Sequence, residues 1–266
     1  MIHAPFDVES LSGLLRRRRL GSRIVYFESV ESTNDRALEM GEAGDPEGLL
    51  VLSEEQVRGR GRRGRAWSSP PRRGIYASVL LRPRLEAPRL PRVGFAAAVG
   101  IARALTEATR QRVGIKWPND LVLSGKKLGG LLSESRGSAP FLVVGLGVNV
   151  NQDLEDFPPE IRGEATSLRL AAGRSWDRTA LLAQVLEGFE AEYLHLIELA
   201  GDYPLARWEE YSSLQEGTAV TVNLDGESLR GLYRGITRDG EMLLETELHA
   251  VRRIAYGDVR RVRSDA

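Results

Sequence analysis

Residues 59–67 carry the most distinctive chemistry of this sequence, because three glycines alternate with four arginines ahead of a tryptophan (Gly-Arg-Gly-Arg-Arg-Gly-Arg-Ala-Trp). Glycine lets a backbone approach a ligand closely, and arginine offers planar, bidentate donors to carboxylate and phosphate oxygens. The segment therefore predicts a flexible loop that folds over an anionic small molecule, with Trp67 available to stack on a ring. A solvated basic loop and a nucleic-acid contact tail are alternative interpretations.

Four other polar segments could complete a binding site. Residues 116–120 (Lys-Trp-Pro-Asn-Asp) place a cation, a ring and two short polar side chains at a turn. Residues 126–130 (Lys-Lys-Leu-Gly-Gly) put paired glycines in a predicted strand, where glycine often marks a close approach. Residues 145–149 (Gly-Leu-Gly-Val-Asn) lack the third glycine of a dinucleotide fingerprint and predict a core strand. Residues 32–34 (Ser-Thr-Asn) would cap a helix or bind an anion.

Composition narrows the class of protein. The 266 residues contain 37 Lys+Arg and 37 Asp+Glu, so the formal net charge is zero, whereas nucleic-acid binders usually carry a basic excess. The absence of cysteine excludes disulfides, thiolate metal sites and cysteine nucleophiles. No apolar run approaches the ~18 residues of a membrane span, and no signal peptide is apparent. We therefore expect a cytoplasmic protein that binds neither membrane nor DNA.

Hydrophobic spacing predicts the elements that position these segments. Small and apolar residues recur at helical spacing from Val93 to Ala108, and a second long helix is predicted after Asp177. Ser32 is the expected N-cap of an earlier helix. Apolar stretches bounded by turn residues predict strands at 23–30, 48–53, 75–81 and, as an antiparallel meander, within 112–150.

The pattern of apolar and turn-forming residues changes near residue 212. Beyond it, turn dipeptides such as Asp225-Gly226 separate short alternating strands, which is typical of a small β-barrel. We therefore predict an α+β fold in which residues 1–212 form a mixed or antiparallel sheet with flanking helices, and residues 213–266 form the small barrel.

Taken in order, these segments resemble the motifs of the biotin–protein ligases over roughly residues 20–260. The resemblance implies a class II synthetase-like catalytic domain followed by an SH3-like barrel. Gly129 stands where alanine is usual in the family, and we expect this only to loosen its strand. About 20 residues precede the first predicted strand, short of a DNA-binding domain, so the likeness is to the monofunctional type. The matching segments are Ser32-Thr33-Asn34, Gln56 with 59–67, 116–120, Lys127-Leu128-x-Gly130, Gly145-x-Gly147-Val148-Asn149 and, in support, 165–168 (Ala-Thr-Ser-Leu).

This resemblance implies that biotin and ATP are the substrates, with Mg²⁺ as the metal. They would form biotinyl-5′-AMP, from which a lysine of biotin carboxyl carrier protein takes the biotinyl group. Arg62 and Lys127 are the implied catalytic residues, stabilising charge at the carboxylate and the α-phosphate. The implied biotin-binding residues are Ser32, Thr33, Asn34, Gln56, Arg60, Gly61, Arg62 and Lys127. The implied ATP-binding residues are Arg62, Trp67, Lys116, Asn119 and Asn149.

The resemblance assigns no metal ligands, although Lys116, Asn119 and Asp120 are candidates for holding ATP with its ion. The resemblance does not decide whether the protein forms a homodimer, which carrier protein it modifies, or what the C-terminal domain does. Octanoyl transferases share a similar catalytic fold, but they need a cysteine that this chain lacks. Lipoate–protein ligases carry an Arg-Arg…Gly-Gly-Gly-x-Val…His-Asp pattern that is absent here. A nucleic-acid-binding regulator is the alternative from another class, and salt-dependent DNA affinity without a biotin effect would indicate it.

Overall fold

The computed structural model describes residues 4–136, 141–203, 205–224, 226–247 and 250–261, which form two sheets with flanking helices. The helices are α1 (Val8–Leu14), α2 (Thr33–Glu42), α3 (Pro91–Thr109), α4 (Leu168–Ala172), α5 (Arg178–Glu198) and α6 (Leu205–Tyr211). The strands of the larger sheet are β1 (Arg23–Phe27), β2 (Leu49–Ser53), β3 (Ile75–Leu81), β4 (Val113–Lys116), β5 (Asp120–Leu123), β6 (Lys126–Glu134) and β7 (Leu142–Val148).

The seven strands of the larger sheet run in the order β1-β2-β3-β7-β6-β5-β4. β1 and β2 are parallel, and the remaining neighbours are antiparallel. One face packs against α3 and α5 in the main hydrophobic core, while α2 covers part of the other face with a smaller apolar cluster. On the α2 side of β3 and β7, large apolar residues give way to Ser78, Gly145 and Gly147. This open part of the face is where the candidate site lies.

Helices α3 and α5 cross with their backbones in close contact. A Cβ atom added at Gly100 would lie 2.2 Å from the carbonyl oxygen of Gly188, and one at Gly188 would lie 2.4 Å from the carbonyl oxygen of Gly100. Glycine normally weakens a helix by about 1 kcal/mol relative to alanine. Its presence at both positions therefore reflects the close approach of the two helices.

The second sheet lies C-terminal to the first and has the order β11-β10-β9-β8-β12. It packs on the larger domain through a hydrogen bond from Trp117 Nε1 to the Gly240 oxygen (2.8 Å) and an ion pair between Arg92 and Asp239 (2.8 Å). Its strands are β8 (Ala219–Asn223), β9 (Ser228–Ile236), β10 (Met242–Glu245), β11 (Val251–Ile254) and β12 (Asp258–Arg261), all antiparallel to their neighbours.

The predicted α+β architecture, with its mixed sheet and separate small β-unit, is confirmed. The strand predicted over 23–30 ends at Phe27, and the helix predicted from Val93 begins at Pro91. The proposed boundary at 212 stays a prediction, since Ser213 still donates a backbone hydrogen bond to Ile115 of the larger sheet (2.7 Å). Within the described ranges, no helix is both long and apolar enough to cross a membrane.

We expect Gly100→Ala to destabilise the protein by about 1–2 kcal/mol. Overpacking typically costs 1–3 kcal/mol, and the better helix propensity of alanine offsets at most ~1 kcal/mol of this. Urea denaturation measures the change. Gly13→Ala is the matched control, because Gly13 is also helical but has no atom within 4 Å of its added Cβ. An unchanged urea midpoint for Gly100→Ala would contradict the proposed close contact.

Candidate active site

The floor of the site is bare backbone. Gly130 of β6 pairs with Gly147 of β7, and Gly145 lies two residues earlier on the same strand. A Cβ at Gly145 would lie 2.1 Å from Asn34 Oδ1, and one at Gly147 would lie 2.6 Å from the Trp67 ring. The glycines therefore let an amide and an indole pack directly on the sheet.

Gly129 lies close to the neighbouring strand, and the expectation that it only loosens β6 stays a prediction. A Cβ at Gly129 would lie 2.6 Å from the Gly147 oxygen and 3.3 Å from a side-chain carbon of Leu121. An alanine could not be accommodated here without a shift of β6 or β7. The glycine therefore matches the close spacing of the two strands that form the floor.

The N-terminus of α2 joins several predicted biotin-binding residues in one hydrogen-bond network. The Ser32 hydroxyl caps α2 by accepting a backbone N–H of its first turn. The backbone N–H and hydroxyl of Thr33 donate to Gln56 Oε1 (2.9 and 3.0 Å). Ser78 Oγ lies 2.7 Å from Asn34 Oδ1. These side chains can present fixed donors and acceptors to a polar ring, although in this structure several of them are satisfied by one another.

The Gly/Arg segment forms a folded loop closed by its own backbone. Gly61 N–H donates to the Arg65 oxygen (2.7 Å), and Trp67 N–H donates to the Gly59 oxygen (2.8 Å). A short 3-10 turn, Arg62–Gly64, forms the tip. The loop is thus a small hairpin, and its arginine side chains are directed to different parts of the protein.

Arg60 lies at the base of the loop and forms ion pairs with two acids. Its Nη2 is 2.7 Å from Asp35 Oδ1, and its two terminal nitrogens contact both carboxylate oxygens of Glu134 (2.9 and 3.1 Å). Glu134 also accepts a hydrogen bond from Asn34 Nδ2 (2.8 Å). Bidentate pairing of this kind fixes orientation as well as charge. Arg60 therefore ties the loop to α2 and β6.

Arg62 is directed at the 116–120 turn, whereas Arg63 and Arg65 are directed at the second sheet. Arg62 Nη1 donates to Asn119 Oδ1 (3.3 Å), and burial lowers the pKa of its guanidinium, which nevertheless stays charged. Arg65 is ion-paired with Asp258, and Arg63 Nη1 lies 3.9 Å from the same carboxylate.

Lys127 meets Arg62 at this turn from the other side. Its Nζ is 2.7 Å from Asp120 Oδ1 and 5.5 Å from the centroid of the Trp67 ring, within the range of a cation–π contact. Lys116 lies opposite Asp120 in the β4–β5 pair. Burial lowers the pKa of Lys116, and the charge of Asp120 opposes that shift. Arg62, Lys116 and Lys127 therefore surround one acidic turn beside an aromatic ring.

Two predicted nucleotide-binding residues have different surroundings. Trp67 Nε1 is buried and has no hydrogen-bond partner among the residues that the structure describes, and its contact with a nucleotide stays a prediction. Asn149 is buried, and its amide donates to the Thr166 oxygen (3.0 Å) and accepts from Gln152 Nε2 (3.2 Å). Asn149 thus anchors the 165–168 segment, and its contact with a nucleotide stays a prediction.

Sequence reasoning missed Ser78, Glu134 and Asp258. Ser78 is a lone polar residue in an otherwise apolar strand, and this break in the apolar pattern could have identified it as a candidate. Glu134 follows Gly130 by four residues, so strand alternation places both on one face. Asp258 had no local signal, because its partners Arg63 and Arg65 lie nearly 200 residues away in the chain.

Comparisons with known proteins show the family to which the chain belongs. The family described as "Biotin/lipoate A/B protein ligase family" matches residues 26–151. The biotin–[acetyl-CoA-carboxylase] ligase of Paracoccus denitrificans is 43% identical over 222 residues, covering 81% of this chain and 91% of that protein. The corresponding ligase of Mycobacterium tuberculosis is 32% identical over 270 residues, covering 97% and 96%.

A solved structure is similar to this chain in both fold and sequence. The biotin protein ligase from Aquifex aeolicus, in complex with biotin and ATP, has a TM-score of 0.79 at 30% identity, covering 90% of this chain and 99% of that one. Because these similarities extend over nearly the whole of each relative, the chain belongs to the biotin protein ligases of the biotin/lipoate A/B protein ligase family.

Proposed function

We propose that this ligase forms biotinyl-5′-AMP from biotin and ATP, and then transfers the biotinyl group to a lysine of the biotin carboxyl carrier protein of a biotin-dependent carboxylase. The observation that carries the proposal is the convergence of Arg62 and Lys127 on the Asn119–Asp120 turn, beside Trp67. These cations come from separate segments, and they meet at one turn beside the Trp67 ring.

The chemistry of the first step explains why cations are needed. A biotin carboxylate oxygen attacks the α-phosphorus of ATP and forms a bond to it. The bond from this phosphorus to the oxygen that bridges to the β-phosphate breaks, and pyrophosphate leaves with that oxygen. Two anions must approach each other, so positioned positive groups lower the barrier and no protein nucleophile is required. Arg62 and Lys127 serve this purpose. In the second step the acceptor amine attacks the biotinyl carbonyl, and AMP leaves.

We assign biotin to the buried network at the start of α2. Thr33, Asn34 and Gln56, with Ser32 as the cap, supply the polar groups that suit a neutral ring. Arg60 contributes by fixing the base of the loop, because its guanidinium is bonded to Asp35 and Glu134. Gly61 contributes a closely approaching backbone, Arg62 and Lys127 receive the carboxylate end, and the remaining ATP-binding residues are Trp67, Lys116, Asn119 and Asn149.

Mg²⁺ fits this site as an ion that ATP brings with it. Within the described ranges, no group of three or more His, Cys, Asp or Glu side chains could hold a metal. Mg²⁺ commonly uses one or two carboxylates together with substrate phosphates. Asp120 and Asn119 are the oxygen donors at the turn and would hold it. The ion would supply neutralisation of phosphate charge.

We further propose that the chain acts in the cytoplasm as a ligase alone, with no DNA-binding repressor role. Its zero net charge and the pairing of Arg60 and Arg65 with carboxylates support this, because a DNA contact needs a basic excess free to meet phosphates. A homodimer stays a proposal to be tested by light scattering. Salt-dependent DNA binding that ignores biotin would favour the regulator instead.

We expect biotin, and not lipoate, to support exchange of pyrophosphate into ATP, since the polar network around Thr33 suits a ureido ring. The same enzyme should then biotinylate an isolated carrier domain when ATP is present. Isotope exchange and mass spectrometry of the carrier measure the two steps. Exchange supported by lipoate alone would assign the chain to the other branch of the family.

Lys127→Ala should reduce biotin-dependent pyrophosphate exchange by on the order of 10²-fold or more, as removal of one preorganised charge-stabilising donor does. Arg62→Ala should act similarly. Lys126→Ala is the matched control, because Lys126 is the exposed neighbour on the same strand. Near-normal exchange in Lys127→Ala and Arg62→Ala would refute their assignment as catalytic residues.

Gly64→Ala should make the enzyme release free biotinyl-5′-AMP on the order of 5- to 30-fold faster, since forcing a side chain into the left-handed region costs about 1–2 kcal/mol. Gly64 has φ +71° at the loop tip. Gly44→Ala is the control: Gly44 has φ +92° with no neighbour within 4 Å of its Cβ, and it lies outside the loop. Equal release by both variants would show that the loop does not retain the intermediate.

A further inference from the structure

We propose that Asp258, in the C-terminal sheet, is a positioning residue that holds the Gly/Arg loop over the reaction centre. Asp258 is the first residue of β12, and its carboxylate is ion-paired with Arg65 and 3.9 Å from Arg63 Nη1. The inference rests on the proposed role of the loop in retaining the adenylate. It gives the C-terminal sheet a direct part in catalysis through a contact with the loop.

The backbone of the loop tip needs an external restraint. Arg63 has φ 58° and ψ 33°, and Gly64 follows with φ +71°. A non-glycine residue in the left-handed region is uncommon, and it persists where its surroundings hold it. The Asp258 carboxylate lies 3.9 Å from Nη1 of this residue and can restrain its side chain.

The positive charges of the loop also favour an acidic residue beside Arg63 and Arg65. Burial lowers the pKa of the Arg62 guanidinium, Asp120 opposes that shift, and the positive charges of Arg63 and Arg65 add to it. Three neighbouring guanidinium groups repel one another, and a carboxylate between Arg63 and Arg65 reduces that repulsion. Asp258 thus lets Arg62 remain directed at Asn119 while its two neighbours are held away from the turn.

The C-terminal sheet is itself fixed relative to the reaction centre. Trp117, which precedes the Asn119–Asp120 turn, donates its indole N–H to the Gly240 oxygen (2.8 Å). A Cβ at Gly240 would lie 1.9 Å from the Phe95 ring, so this ring packs directly on the backbone of Gly240. The sheet therefore contacts both the turn and the loop, and it can keep them at a constant separation.

The test measures free biotinyl-5′-AMP released without carrier protein, together with biotin-dependent pyrophosphate exchange. Asp258→Asn should release the adenylate roughly 2- to 5-fold faster, the size expected when partly exposed ion pairs are lost. The KM for ATP should rise more than kcat falls, and the melting temperature should stay unchanged. Asp258→Glu should restore retention, because it keeps the charge.

Asp239→Asn is the matched control, since Asp239 pairs with Arg92 across the same domain boundary but away from the loop. We expect wild-type release from it. Combining Asp258→Asn with Arg65→Ala should add little to either change alone, because both remove the same contact. Wild-type release by Asp258→Asn, or an equal increase in Asp239→Asn, would overturn the role of Asp258. A wild-type enzyme with no biotin-dependent exchange would instead refute the proposed function.

Discussion

The close contact between polar side chains and bare strand backbone is the constraint on which the rest of the site depends. Asn34 and Trp67 pack directly on β7 because Gly145 and Gly147 have no side chains there. A methyl group at either glycine would displace the amide or the indole. Adjacent strands must also stay close, and Gly129 permits this beneath Gly147. Glycine is a weak strand former, but at these positions it leaves the backbone of the sheet open to close approach.

Charge is distributed around this floor so that each cation has a defined direction. Arg60 is bonded to acids of α2 and β6, Arg65 to an acid of the second sheet, and Arg62 and Lys127 to the turn between β4 and β5. The anchored arginines connect the loop to the rest of the protein, and the remaining two cations are directed at the Asn119–Asp120 turn. Preorganisation of this kind lets charge be stabilised without rearrangement during the reaction.

Much of the fold was predictable because the spacing of apolar residues indicates which face of a helix or strand is buried. The long helices, the meander and the small C-terminal sheet follow from apolar spacing and turn residues, and their boundaries differ by a few residues. Gly129 shows the limit of such reasoning. In the sequence it is a mild departure from a family pattern, but its distance to the Gly147 oxygen depends on how two strands pair. Asn149 is similar, since its amide is bonded to groups that lie outside its own motif.

The sequence by itself determined which residue types could do the chemistry, and it predicted that they belong to one site. The order and spacing of the Gly/Arg segment, the Lys-Trp-Pro-Asn-Asp turn and the glycine-bearing strands were sufficient for that, because motifs are local. Only the tertiary structure decided the separate roles of four chemically identical arginines. Their partners Asp35, Glu134, Asn119 and Asp258 come from elements far apart in the chain. Ion pairs form through space, so their assignment depends on the packed fold.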